Sequence, residues 1–286
     1  MEKKLYGIIG YPVKHSLSPA MQNAAFGALG VEAEYSVYEV APAGLDAFLL
    51  ELPSKGIVGL NITIPHKIAA KEYVEKHGIL DENARRLGAI NTIKVIDGKP
   101  NGFNTDGAGF YRSLVEDLKF EPEGKRIFIL GAGGAATAIA MYLGNGPKTI
   151  AVTDVDGARP GDLKSHYRKF YDEKRFRTVE PADAAKAISE SDLLINATPV
   201  GMKESDPLPV DAAALHPGLY VYDIIYNLPA TNLVREATKR RLHAVTGLGM
   251  LLYQGVIAFE IWTGRKAPVG VMRKALREAI KKASEK

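Results

Sequence analysis

The sequence has no cysteine, no low-complexity tract, no internal repeat and no long apolar run. Without cysteine, the chain forms no disulfide framework and offers no thiolate for catalysis. No apolar segment approaches the roughly 20 residues of a membrane-spanning helix, so no membrane association is expected. The first apolar run, residues 5–10, is too short for the core of a signal peptide and is expected to be a strand. These absences favour a cytoplasmic enzyme.

The composition is that of an ordinary globular protein, with 46% hydrophobic and 24% charged residues among 286. A chain of this length accommodates two domains more readily than one. The net charge of +4 is modest, and its excess lies mostly in residues 159–177 and 273–286. Neither segment presents interleaved aromatic residues on a predicted sheet, so we expect solvated helix faces and no nucleic-acid partner.

The first part of the chain mixes strand and helix patterns with one hairpin signal. Asp97-Gly98 between two apolar runs is typical of a β-hairpin. Ser18 is expected to cap a helix in which Pro19 is the first residue. Further segments are predicted as strands at 5–10, 33–40 and 58–64, and as helices at 45–52, 66–74 and 81–87, the last with Asp81 as its N-cap. We therefore predict an α/β substrate domain with a mixed sheet over residues 1–106.

From residue 126 onward, strand and helix patterns alternate regularly, which predicts a parallel, doubly wound, Rossmann-like sheet. We assign this nucleotide domain to residues 107–251 and interpret the polar stretch 119–125 as the connection into it. Strands are predicted at 126–130, 149–154, 177–179, 193–197, 219–224 and 243–245. Helices at 250–262 and 269–282 follow the completed sheet, so 252–286 are expected to return to the first domain. The cleft between the domains is the expected site.

A glycine-rich loop, Gly131-Ala-Gly-Gly-Ala-Ala136, directly follows the predicted strand 126–130 and opens a helix. In this context Gly131 permits the tight turn, Gly133 lets the backbone approach a pyrophosphate, and Ala136 allows the helix to pack closely. The free N–H groups of the helix N-terminus would bind the phosphates. The loop therefore predicts a dinucleotide-binding site.

Asp154 lies 23 positions after Gly131, near the spacing expected for the carboxylate that bonds the adenosine ribose hydroxyls. This carboxylate would repel a 2′-phosphate, and residues 155–158 contain no arginine to offset it. Arg159 is the first cation after Asp154. The alternative is that Asp154 only caps a turn. We predict NAD as the cofactor, with NADP as the alternative.

Two further segments carry polar side chains suited to a hydroxylated acid. Ser16 and Ser18 lie beside a predicted helix start and would suit a carboxylate, although Ser18 could serve only as the helix cap. Lys67 follows a predicted strand, where a partly desolvated lysine is suited to proton transfer and a solvated lysine is the alternative. Asp106 is its expected partner. Neighbouring His66 is interpreted as structural, and no metal site is predicted.

Several motifs, in order and nearly end to end, resemble the shikimate dehydrogenase family. They are residues 7–19, 61–67, 88–92, 102–107, 196–202, 223–227 and 247–254. The resemblance implies that Ser16 and Ser18 hold the ring carboxylate, and that Lys67 and Asp106 form the catalytic pair at the C3 oxygen. The residues that it implies at the ring hydroxyls are Thr63, Asn91 and Gln254. Asn61 and Tyr226 would line the cleft.

The resemblance also assigns the cofactor residues. Those implied at the pyrophosphate and adenosine are Gly131, Gly133, Gly134, Ala135 and Asp154. Those implied near the nicotinamide are Thr198, Val200, Gly247 and Met250. NADP-using members of the family carry a pattern similar to Asn-Arg-Thr at the position where this chain has Asp154-Val155-Asp156. That difference is similar to the quinate/shikimate dehydrogenase branch, which can use NAD.

We therefore expect an oxidoreductase that interconverts shikimate and 3-dehydroshikimate with NAD, with quinate as a further candidate substrate. A strictly NADP-dependent biosynthetic shikimate dehydrogenase is the first alternative. A catalytically silent cofactor- or ligand-binding regulator is an alternative of another class, which the presence of both Lys67 and Asp106 disfavours. A folate-dehydrogenase type of enzyme is a third and would not need Ser16 and Ser18. Both a monomer and a homodimer are compatible with the sequence.

Overall fold

The computed structural model describes residues 3–284. The chain divides into two compact units, of which unit 1 takes in the chain up to Thr105 and again from Gln254 onward. Unit 2 is Asp106–Tyr253. The C-terminal helices thus belong with the N-terminal part of the chain, as the sequence predicted.

Strands and helices alternate through most of the described chain. The strands are β1 Lys4–Gly10, β2 Ala33–Glu39, β3 Ile57–Ile62, β4 Ile79–Leu80, β5 Thr92–Ile96, β6 Lys99–Phe103, β7 Arg126–Leu130, β8 Thr149–Thr153, β9 Phe176–Thr178, β10 Leu193–Asn196, β11 Tyr220–Asp223 and β12 Ala244–Thr246. The helices are α1 Ser18–Ala28, α2 Leu45–Leu50, α3 Lys67–His77, α4 Glu82–Leu87, α5 Asp106–Glu116, α6 Gly134–Leu143, α7 Ala158–Tyr167, α8 Ala184–Ser189, α9 Asn232–Lys239, α10 Leu248–Thr263 and α11 Val269–Ser284.

The sheet of unit 1 is mixed, as predicted, with the strand order β2-β1-β3-β5-β6-β4 over its described residues. β1 pairs in parallel with β2 and β3, whereas β5 is antiparallel to both β3 and β6. At the predicted hairpin, Asp97 and Gly98 have φ angles of 49° and 74°, the left-handed values that this two-residue turn needs. β4 was not predicted, because two residues are too few for an alternating pattern.

Alternate residues of β1 face opposite sides of the sheet, and each side is covered by helices. Tyr6 stacks on Phe26 of α1, with 5.0 Å between ring centroids, and also contacts Trp262 of α10. Ile9 faces the other side and packs in a cluster with residues of α2 and α3. Trp262 donates from Nε1 to the Ile93 carbonyl at 2.9 Å, which fixes α10 on the sheet.

Ser18 is not the N-cap of α1, contrary to the sequence-based expectation. The N-cap is Leu17, which makes no side-chain capping bond. The Ser18 backbone N–H instead donates to the Ser16 hydroxyl oxygen at 3.2 Å, so the serine two positions earlier accepts from the helix start. Asp81, by contrast, caps α4 as predicted, and its Oδ1 accepts from Ala84 N at 2.7 Å.

Unit 2 has the predicted parallel, doubly wound sheet, with the order β12-β11-β10-β7-β8-β9 in the described chain. The chain leaves β7 toward β8 on one side and later returns to β10 on the other. The switch in direction therefore lies between β7 and β10, where sheets of this kind bind ligands at the carboxyl ends of their strands.

Two details of unit 2 differ from the sequence analysis. The stretch 119–125 lies within unit 2, because α5, which precedes it, already belongs to that unit. Phe110 of α5 is fully buried and packs edge-on against Tyr222 of β11, with 4.8 Å between the ring centroids. The polar composition of that stretch marks an exposed loop and not the start of the unit. The helix expected between β8 and β9 was given no bounds from the sequence, since Pro160 and Gly161 are turn signals, although proline is tolerated in the first turn of α7.

Among residues 3–284, no helix combines the length and the apolar character that crossing a membrane requires.

The packing of Trp262 predicts the effect of adding one methyl group to unit 1. A Cβ at Gly59 would lie 2.6 Å from the Trp262 ring and 2.8 Å from that of Tyr6, so Gly59→Ala should destabilise the unit by about 1–3 kcal/mol. Trp262 is the only tryptophan in the chain, so its fluorescence during thermal unfolding follows unit 1. The matched control is Gly27→Ala in α1, where the added Cβ meets nothing within 4 Å. Equal midpoints for the two variants would contradict this packing.

Candidate active site

The predicted carboxylate and proton-transfer residues of unit 1 lie at helix starts. Ser18 is the first residue of α1 and 4% exposed, and Ser16 precedes it half-buried. Lys67 is the first residue of α3 and is half-buried, as is Thr63, which follows β3 directly. His66 has the structural role expected of it, since it is 1% exposed and its Nε2 lies 2.7 Å from the Val40 carbonyl oxygen.

Asn61, predicted to line the substrate cleft, lies in the interior of unit 1 at 4% exposure. Its Oδ1 accepts from the Tyr35 hydroxyl at 2.7 Å. Its Nδ2 donates to the Asn91 backbone carbonyl at 3.2 Å and to the Thr92 hydroxyl oxygen at 3.1 Å. Because both amide N–H groups are used inside the fold, this geometry favours a supporting role for Asn61.

Asn91 and Gln254, both predicted at the ring hydroxyls, are connected through Thr105. Asn91 donates from Nδ2 to the Thr105 hydroxyl oxygen at 2.9 Å and accepts from Thr105 N at 2.9 Å. The Thr105 hydroxyl donates to the Gln254 backbone carbonyl at 3.1 Å. Sequence reasoning missed Thr105 and Tyr35, although Thr105 lies in the quoted motif 102–107 and directly precedes Asp106.

In unit 2, Asp106 is the half-buried first residue of α5, and Tyr226 follows β11 with 40% of its surface exposed. Burial raises the pKa of the Tyr226 phenol, and the negative charge of Asp106 raises that pKa further.

The glycine loop between β7 and α6 leaves space for a ligand. Gly131 has a φ of 98°, and a Cβ there would lie 2.8 Å from the Ala197 carbonyl oxygen, so only glycine fits. At Gly133 and Gly134, an added Cβ would meet nothing within 4 Å. Ala135 is half-buried, while Ala136 is fully buried, as its predicted packing requires. The open backbone at the start of α6 fits a dinucleotide pyrophosphate.

Asp154 follows β8 and interacts with this loop. Its Oδ2 accepts from Ala132 N at 2.7 Å, and its Oδ1 accepts from Asp156 N at 2.9 Å. It therefore does cap a turn, and it also lies beside the glycine loop. Arg159, the nearest candidate for a phosphate ligand, forms an ion pair with Asp156 at 3.1 Å. At the end of β8, the buried Thr153 hydroxyl has no hydrogen-bond partner within the described chain.

The four residues predicted near the nicotinamide lie after strands β10 and β12. Thr198 and Val200 form the half-buried loop after β10. Gly247 lies so close to the Ile224 carbonyl oxygen that a Cβ would be only 1.9 Å from it. Met250 is half-buried in the first turn of α10. Within residues 3–284, no group of three or more His, Asp or Glu side chains could hold a metal ion.

Chemically, unit 1 offers hydroxyls, amides and an ammonium group suited to a hydroxylated acid. Unit 2 offers a carboxylate, a phenol and a glycine loop suited to a nicotinamide dinucleotide. These are the components of an alcohol dehydrogenase.

Two family models match the chain. The shikimate dehydrogenase substrate-binding domain matches residues 8–93, and the shikimate 5′-dehydrogenase C-terminal domain matches residues 247–277. The first match covers most of the strands and helices of unit 1 that precede Asp106.

Similar proteins match over nearly the whole chain. The shikimate dehydrogenase (NADP(+)) of Methanopyrus kandleri is 43% identical over 98% of this chain and 97% of its own. The shikimate 5-dehydrogenase of Listeria monocytogenes, solved with shikimate and NAD, is 34% identical with a TM-score of 0.88, covering 96% of each chain. The quinate dehydrogenase of Corynebacterium glutamicum, solved with NAD, is 29% identical with a TM-score of 0.89, covering 96% of this chain and 99% of its own. This chain belongs to the shikimate dehydrogenase family.

Proposed function

We propose that the protein is a nicotinamide-dependent dehydrogenase that interconverts shikimate and 3-dehydroshikimate. The observation that carries the proposal is the hydrogen-bonded frame of Asn61, Asn91 and Thr105, which connects residues expected around the substrate ring in a chain of this family. We assign substrate binding to residues 1–106 with 252–286, and cofactor binding to residues 107–251. The cytoplasmic location and the monomeric or homodimeric state stay predictions from the sequence.

In this proposal, Ser16 and Ser18 bind the ring carboxylate through their hydroxyls. The ring hydroxyls are bound by Thr63, Asn91 and Gln254. Tyr226 contacts the substrate, and Asn61 supports Asn91 from the interior. A buried amide whose donors are already bonded cannot rotate without losing them, so the frame holds its ligand groups in one orientation.

Lys67 and Asp106 are proposed as the catalytic pair. In the oxidation, Lys67 accepts the proton of the C3 hydroxyl, directly or through water, as the C3–H bond breaks. Asp106 orients the Lys67 amino group and the reacting oxygen. A bound nicotinamide dinucleotide supplies the acceptor for the hydride that leaves C3. In the reduction, Lys67 returns the proton to the oxygen.

The cofactor residues proposed at the pyrophosphate and adenosine are Gly131, Gly133, Gly134, Ala135 and Asp154. Those proposed near the nicotinamide are Thr198, Val200, Gly247 and Met250. We propose a preference for NAD, because Asp154 and Asp156 are both acidic and Arg159 is already paired with Asp156. NADP is the second candidate, and the name of the Methanopyrus relative favours it.

A matrix of two substrates against two cofactors tests these proposals together. Shikimate and quinate are each supplied with NAD and NADP, and the absorbance of reduced nicotinamide is followed. Turnover of shikimate is expected, and quinate is included because the Corynebacterium neighbour is a quinate dehydrogenase. If the protein binds dinucleotides but turns over neither substrate with either cofactor, the proposed enzymatic activity is contradicted and a binding regulator is supported.

Replacing Lys67 by alanine should lower kcat by about two to four decades while the KM for shikimate changes little, because a proton carrier is lost and not a binding group. The matched control is Lys71→Ala, one turn further along α3, whose ammonium is paired with Glu75. Steady-state kinetics of both variants test this role. A Lys67→Ala variant with near wild-type kcat would show that Lys67 only binds substrate.

Ser16→Ala and Ser18→Ala should raise the KM for shikimate more than they lower kcat. Each removes a hydrogen bond to a charged carboxylate, worth roughly 1.5–3 kcal/mol, at a point remote from the reacting carbon. Ser36→Ala is the control, since the Ser36 hydroxyl donates to the exposed Glu34 carboxylate. If KM stays unchanged in both test variants, the two serines serve only the start of α1.

The cofactor proposal predicts a higher kcat/KM with NAD than with NADP in the wild type. Val155 is 98% exposed, so Val155→Arg adds a phosphate ligand without disturbing the core, and Asp154→Asn in addition removes the repelling charge. The ratio of kcat/KM for NADP to that for NAD should rise roughly tenfold or more, the value of one charged hydrogen bond. An unmodified protein that prefers NADP would refute the Asp154 argument, and Arg159→Ala would then test Arg159 as the phosphate ligand.

A further inference from the structure

Two buried polar side chains of unit 2, Asn196 and Asp223, have no role in the proposed site. Asn196 ends β10, Asp223 ends β11, and the two residues are partners in the sheet register. Both are 0% exposed. Burying an amide and a carboxylate is costly unless hydrogen bonds compensate, so their partners reveal what they hold in place.

Asp223 is surrounded by hydrogen-bond donors. Its Oδ1 accepts from Asn196 Nδ2 at 3.0 Å and from Ile225 N at 3.2 Å, and its Oδ2 accepts from the Thr231 hydroxyl at 2.7 Å. Three donors match an ionised carboxylate. Burial raises the pKa of Asp223, and these hydrogen bonds act against that rise.

Asn196 passes this orientation on to the loop after β10. Because an ionised Asp223 can only accept, the N–H₂ group of Asn196 must face it, and Asn196 Oδ1 must face the loop. That oxygen accepts from the Thr198 hydroxyl at 2.7 Å and from Thr198 N at 3.1 Å. The other N–H of Asn196 donates to the Val200 carbonyl at 3.1 Å. One amide therefore fixes both ends of residues 198–200.

This loop lies directly against the glycine loop. A Cβ at Gly131 would lie 2.8 Å from the Ala197 carbonyl oxygen and 3.0 Å from Thr198 Cγ2. The strands that lead into the two loops, β7 and β10, are neighbours at the switch in chain direction, the place where such sheets bind dinucleotides.

We propose that Asn196, oriented by Asp223, is a positioning residue that holds residues 197–200 in the conformation that receives the nicotinamide half of the cofactor. This inference rests on the proposed function, since it requires that unit 2 bind a nicotinamide dinucleotide. Asn196 itself contacts neither cofactor nor substrate. The Thr198 hydroxyl donates to Asn196 and accepts from Val200 N at 3.2 Å, so both of its bonds are made within the loop and Thr198 contributes its backbone to the cofactor.

The test compares two ligands that differ in the nicotinamide. Asn196→Ala should weaken the binding of NADH and NADPH by about tenfold, the effect of one to two lost hydrogen bonds. ADP-ribose has the adenosine and pyrophosphate but no nicotinamide, so its affinity should stay unchanged. The KM for shikimate should stay unchanged while kcat falls. Direct binding titrations and steady-state kinetics provide these values.

Ser191→Ala is the matched control. Ser191 is 2% exposed, lies just before β10, and donates to the Ala187 carbonyl at 2.7 Å. Its loss should lower thermal stability and leave the affinities for both ligands intact. If Asn196→Ala weakens the dinucleotides and ADP-ribose alike, or weakens neither, the proposal is overturned.

A second comparison serves if Asn196→Ala does not fold. Thr198→Val removes the hydroxyl that donates to Asn196 and accepts from Val200 N, and Thr198→Ser keeps it, so Val should weaken dinucleotide binding more than Ser does. The opposite order would also overturn the proposal. A wild type that binds dinucleotides without turning over shikimate would refute the proposed function and leave this inference testable by binding alone.

Discussion

Buried amide side chains beside strand ends must satisfy all their N–H groups inside the fold, and the proposed site depends on this constraint in both units. In unit 1, Asn61 bonds to Tyr35, to the Asn91 backbone and to Thr92. In unit 2, Asn196 bonds to Asp223 and to the loop after β10. An unpaired amide group in either place would cost about 1–3 kcal/mol. That penalty favours the one conformation in which these amides keep their hydrogen bonds, both around Asn61 and in the loop after β10.

Backbone proximity is the second constraint, and it operates at glycines. Gly131 and Gly247 each lie so close to a carbonyl oxygen of another strand end that a Cβ would overlap it. Gly133 and Gly134 instead face open space at the start of α6. The same residue type therefore serves two purposes, close packing between loops at the first pair and room for a ligand at the second.

Features that depend on local sequence were predicted correctly. The Asp97-Gly98 hairpin, the Asp81 cap and the glycine loop after β7 each follow from a few adjacent residues. The doubly wound sheet followed from regular alternation, and the family from motifs spread along the chain. Features that depend on distant partners could not be predicted from the sequence. Asn61 is buried because Tyr35 and Asn91, 26 and 30 positions away, complete its hydrogen bonds.

In the candidate site, too, local features could be predicted from the sequence and contacts with distant residues could not. A carboxylate at residue 154 can be read from the sequence, but its bonds to Ala132 N and Asp156 N cannot. Thr105 and Asn196 lie in quoted motifs but were given no role, because their roles depend on the residues that they hydrogen-bond and not on contact with the ligand. Ser18 was assigned the wrong local role, since Ser16 supplies the oxygen that bonds the start of α1.

The central claim is that hydride leaves C3 of shikimate and is transferred to a nicotinamide cofactor. Shikimate labelled with deuterium at C3 tests this most directly. The account predicts that the deuterium is recovered on the reduced nicotinamide, and that the labelled substrate turns over more slowly wherever the transfer limits the rate. Recovery of the deuterium in water, or its retention in the product, would contradict the account.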